Sequence, residues 1–368
     1  MADTDHRKVG FLDPRHLAGD SGAGLRRHVR RRLVTLDDMN GFARRRPIDR
    51  TAPSTRERWH AFGPGSPPPS MHSTQVDSSH ADVNAVLLRI HPQYARGVKD
   101  QASEDQLLRK VLALLDGARR YETLTQSDSR AWVVAPGSAL AGDDTKTAPY
   151  QVSHSAWQAL TVAVDHLHCF RRTLVGDAER GTRAPITMHT HGQFSLLRGV
   201  IENSARAVWM LGPPERLLRI QRRLSLQASD HRHSDHMLSL LQGQPRRSTE
   251  ARMQQLTDLV TAAGTAPEDA KGALRSPRPS VIVREAGTLT PMGGDQAEVI
   301  WSCCSSLAHG DAYGTLSLLD RSVVERQEQL SLVRFSSSSE FLYRSTDRSI
   351  AMVQRGFALF EERAACHH

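Results

Sequence analysis

The chain has 368 residues, 48 basic against 40 acidic for a net charge of +8, and a hydrophobic share of 39 %, enough to fill a core. Its cysteines (Cys169, Cys303, Cys304, Cys366) form no CxxC pair, which argues against a disulfide framework or a cysteine zinc site. No stretch approaches the ~20 apolar residues that span a bilayer and no apolar segment follows the N-terminal charges, so a soluble, cytoplasmic protein is expected.

Residues 1–75 hold 14 basic and 8 acidic residues and so carry most of the net charge. They include arginine clusters and the run Gly63-Pro64-Gly65-Ser66-Pro67-Pro68-Pro69-Ser70. Such a segment has too little apolar surface to offset the entropy of ordering. It reads as a disordered basic tail ahead of a single helical domain over 76–368. Leu25, Val29 and Leu33, with arginines between them, allow one short basic helix inside it, and Met71 is an alternative start.

Beyond about residue 80 the pattern is helical. Leu107, Leu108, Val111, Leu112, Leu114 and Leu115 mark a helix over 103–125 opened by Ser103. Residues 126–150 read as a loop. A second helix over 153–175 has the stripe Ala156, Leu160, Ala163, Leu167, Phe170, Leu174, and Gly176 follows as its stop. A third, over 189–211, is apolar around more than half its circumference. Gly212-Pro213-Pro214 ends it and opens an arginine-rich helix over 214–242. Shorter helices follow at 248–264 and 267–275. Residues 276–293, with three prolines and Val281-Ile282-Val283, read as an extended connection able to pair as a short strand. A helix at 295–309 and a long one over 320–365, broken near Ser336–Ser339, complete an all-α multi-helix bundle.

Three groups of residues bear on function. The first is Arg198, inside the apolar arc of its helix, with Glu202 and Arg206 one and two turns on. A guanidinium there is costly unless paired. His309 closes the stripe Glu298, Ser302, Ser305, His309 on another apolar helix, where the helix dipole favours an imidazolium. Arg198, Glu202 and His309 are therefore expected to form one semi-buried polar cluster, with candidate catalytic or anion-contacting roles. The second group is Arg216, Arg219, Arg222 and Arg223, a candidate nucleic-acid contact. The third is His231-Arg232-His233-Ser234-Asp235-His236, which matches HxHxDH, the zinc-binding string of the metallo-β-lactamase superfamily. There it follows a strand, and here it lies among helical residues. A zinc hydrolase through His231, His233, Asp235 and His236 is thus an alternative, while the leading reading has no metal and no cofactor.

Leu196-Leu197-Arg198-Gly199-Val200-Ile201-Glu202-Asn203, taken with Ser305-Ser306-Leu307-Ala308-His309-Gly310, resembles helical bacterial proteins related to HEPN-type domains over about residues 154–365. The resemblance implies a helical bundle, a defence-related role and contact with nucleic acid. Active members cleave RNA without metal through an Arg-x4–6-His element. In this chain Trp301, Ser302, Cys303 and Cys304 stand where that arginine would precede His309. The other spacing of that kind, Arg183 to His189, contains Pro185. The expectation is a non-enzymatic binding or regulatory bundle. A metal-independent ribonuclease using His309 with Arg198 or Arg206 is the alternative. Partners left open are nucleic acid, protein or a second copy of the chain.

Overall fold

The computed structural model describes residues 101–176, 185–326 and 331–366. The tail, the short basic helix, Met71 and Arg183 lie outside these residues. The described chain is an all-α multi-helix bundle with one small hairpin.

Helix α1, Gln101–Leu124, opens with Glu104 in its first turn and buries Val111, Leu115, Ala118 and Tyr121 on one stripe. Helix α2 is Ala139–Thr147, inside the expected loop. Ser138 accepts the Ala141 N–H at 3.2 Å, which relieves one orphan donor, and Leu140 is fully buried. Helix α3, Val152–Leu174, buries its whole expected stripe from Ala156 to Leu174. Gly176 follows it for another reason than left-handed backbone. Its N–H donates to Pro185 O at 2.9 Å, and a Cβ would stand 2.9 Å from Pro185 Cγ.

Helix α4, Gly192–Leu211, is the axis of the molecule. It packs against α3, against α8 (Pro279–Gly287), α9 (Gly294–His309) and α11 (Ser339–Ala364). Phe194, Leu197, Val200, Ala205, Val208 and Met210 are fully buried. Helix α5, Arg216–Leu240, pairs with α6, Thr249–Ala262, and with α7, Pro267–Ala273. These three share a smaller core of Ile220, Leu224, Ala228, Leu256, Val260, Ala270 and Leu274, separate from the main one. Helix α10 is Ala312–Leu318.

Two further stretches differ from the sequence reading. Residues 279–287 are helix. Pro279 takes the first helical position, where no N–H is needed, and Ile282, Val283 and Ala286 are buried as one helical stripe. Residues 320–336 begin no long helix. They form strand β1, Asp320–Arg326, paired antiparallel with β2, Ser331–Ser336. Val333 and Phe335 alternate with Arg334 and Ser336, a period of two, which favours a strand. The ladder shifts register between Val323 and Glu325, leaving Val324 as an exposed bulge residue. No helix among the described residues is long and apolar enough to cross a membrane.

Candidate functional site

Helices α4 and α9 run antiparallel. His191, just before α4, meets Leu307 near the end of α9, and the middle of α4 meets Trp301. Spacing of four residues lines Arg198, Glu202 and Arg206 along α4. Glu202 is the hub. One carboxylate oxygen accepts from the Trp301 indole N–H at 3.3 Å and forms an ion pair with Arg198 Nη2 at 3.4 Å. The other accepts from Arg206 Nη2 at 3.3 Å. The Arg198 guanidinium also lies 5.7 Å from the centre of the Trp301 ring, within cation–π range. The side chains of Arg198, Arg206 and Glu202 are 32 %, 42 % and 19 % exposed, so two partly exposed cations share one carboxylate.

The pair Arg198–Glu202 is therefore brought together, and His309 is not. His309 is exposed and makes no hydrogen bond or ion pair with either among the described residues. Eight residues separate it from Trp301, about 12 Å along a helix, and α9 ends there. Gly310 has φ +70°, Gly310 N–H donates to Leu307 O at 3.2 Å, and Asp311 N–H to Ser306 O at 3.0 Å. This is the Schellman closure, for which glycine is suited. His191 supplies the imidazole at this end, donating from Nδ1 to Leu307 O at 2.9 Å. Glu298, in the same expected stripe, is engaged by Arg284.

The arginine row of α5 is turned largely into the fold. Arg219, 2 % exposed, grips the fully buried Asp143 of α2 with two bonds of 2.6 and 3.0 Å. Its remaining nitrogen donates to Pro213 O and Pro214 O. Arg216 reaches the same carboxylate at 3.1 Å. Arg222 bonds Glu285 at 2.8 Å and covers the Trp209 ring at 4.6 Å, while the Trp209 N–H donates to the same Glu285 oxygen at 2.7 Å. Arg223 is buried against Gln151 O and Gln227. These engagements tie most of the arginines expected as a nucleic-acid contact into the fold. Only Arg216 is exposed, and it too is paired.

The histidine string lies wholly on α5, with no strand before it. His233 and His236 are exposed, whereas His231 turns inward and Asp235 is partly buried. Asp235 accepts from Thr249 Oγ1 at 2.8 Å and from Arg252. The Thr249 hydroxyl, helped by the guanidinium, holds this carboxyl below its usual range. Among the described residues no three His, Cys, Asp or Glu side chains converge to hold a metal ion. Comparison with family models, with curated proteins and with solved structures gave no match to this chain.

Proposed function

We propose that this chain is a non-enzymatic helical-bundle binding module that contacts nucleic acid through the partly exposed Arg198–Glu202–Arg206 cluster on α4. One observation carries the reading. Arg198 and Arg206 are both partly exposed and share the single carboxylate of Glu202, so the cluster keeps an excess positive charge and open guanidinium N–H groups for phosphate. His309, the histidine of the ribonuclease alternative, sits at the exposed end of α9 and makes no contact with Arg198 among the described residues. That supports binding over cleavage.

The test is fluorescence anisotropy of a labelled 20-nucleotide single-stranded RNA titrated with the full chain at several salt concentrations. Binding should weaken as salt rises, and Arg206→Ala should lower affinity and reduce the log–log salt slope by about one. Identical titrations for the two proteins, or no binding at low salt, would refute the assignment. Cleavage of the same RNA that disappears in His309→Ala would instead establish the ribonuclease alternative.

A further inference from the structure

His231 occupies an unusual place. It is 9 % exposed at the end of the smaller core, one turn beyond Ala228. Its ring meets the edge of Tyr150 at 5.8 Å and 76°, and Tyr150 packs on the same core. Nε2 of His231 is buried without a hydrogen-bond partner among the described residues, as is Nη1 of Arg223 on the same helix. The charged and titratable groups around the ring come from three elements. Arg223, Asp230 and Asp235 lie on α5, and Arg252 lies on α6. Tyr150 belongs to the segment joining α2 to α3. Arg252 and Asp235 already satisfy one another.

We propose that His231 is a proton-operated latch. When its imidazole is neutral, the α6–α7 layer stays closed on α5. When the imidazole takes up a proton, a third cation is forced into a buried space that already holds Arg223 and Arg252, and that layer opens while the main bundle stays folded. The proposal is independent of the RNA reading. Its basis is burial and neighbouring charge. Solvent is withheld from the ring, Nε2 of the imidazolium finds no acceptor for its N–H among the described residues, and two guanidiniums oppose the added charge. Desolvation, with Arg252, depresses the proton affinity of this imidazole, and Asp235 and Asp230 offset the effect only in part. For a histidine shifted downward, the neutral form stabilises the closed state. That stability is complete above about pH 6.5, the free-histidine value. It is lost as pH falls from there through the folded-state value, and the opening equilibrium can rise at most tenfold per pH unit.

The test is native-state hydrogen exchange on the full chain at pH 7.5 and 5.5, corrected for intrinsic exchange rates. The opening constants of amides in 249–262 should rise several-fold at the lower pH, while those of α3 and α4 should not. His231→Gln should remove the rise, and the exposed neighbour replacement His233→Gln should keep it. A rise shared equally by α3 and α4, no rise, or the same rise in His231→Gln would overturn the latch. An NMR titration of the unaltered chain serves if the variant does not fold. The His231 ring should then titrate below free histidine, and titration at or above that value would equally overturn the proposal.

Discussion

At the scale of single residues, the two polar clusters differ in how far water reaches them. Asp143 and Arg219 are both essentially sealed, so removing Asp143 leaves Arg219 charged and buried with only the carbonyl oxygens of Pro213 and Pro214 to receive its N–H groups. Asp143→Ala should cost about 3–5 kcal/mol in chemical denaturation. Replacing Asp143 by Leu together with Arg219 by Met should recover most of that loss, because both desolvation penalties vanish. Glu202 is a gentler case, since its arginines are partly solvated. Glu202→Ala should cost about 1–3 kcal/mol. Glu202→Gln should cost less, because the amide oxygen still accepts the Trp301 N–H. A third residue sits in the wrong backbone conformation for its type. Gln242 has φ +52° at the end of α5, with Gly243 N–H returning to Leu238 O at 2.8 Å. The glycine thus falls one position after the one that needs it. Gln242→Gly should stabilise the chain by about 1 kcal/mol, and a lower melting temperature would contradict this.

Among the elements, those with a long apolar period were legible in the sequence, and two of the short ones, α2 and α8, were not. The stripe of α3 repeats for six positions and is buried at every one. Helices α2 and α8 are each of nine residues, too short to display a period, and their signals are a serine cap and a proline at the first turn. The hairpin was mistaken for helix because Asp320–Arg326 and Ser331–Ser336 are as polar as a solvated helix face. Only Val333 and Phe335 betray the alternation. In the candidate site, Arg198 and Glu202 were readable because four residues separate them on one helix. Trp301, His191 and Asp143 were not, since their partners lie 99, 116 and 76 residues away. Local spacing carries no information about such contacts. The His191 bond to the end of α9 has its own consequence. His191→Ala should remove one acceptor's partner at a helix end already closed by Gly310, for a loss of about 1 kcal/mol, and the amides of the last turn of α9 should exchange faster.

For the molecule as a whole, the pH range of stability should be bounded on the alkaline side by Cys303 and Cys304. Burial pushes the Cys303 thiol up to about 12 from its usual 9, and burial raises Cys304 as well, with a Ser345 hydrogen bond opposing. A raised folded-state value means that the protonated thiol stabilises the fold. The contribution is complete below pH 9 and is lost as pH climbs through 12. Melts of Cys303→Ala/Cys304→Ala should show a shallower loss between pH 9 and 11 than the parent chain. A loss of equal steepness would place the alkaline limit elsewhere. The same burial should make both thiols slow toward thiol reagents beside the exposed Cys169.

The pair of Asp143 and Arg219 also bears on how this sequence is free to drift. Because losing Asp143 alone strands a buried guanidinium while the double replacement does not, the arginine ties the aspartate in place. Lineages descending from this chain should lose Asp143 only together with Arg219. A single aspartate without its arginine should appear only where a second cation, as Arg216 already does, has come within reach of the carboxylate.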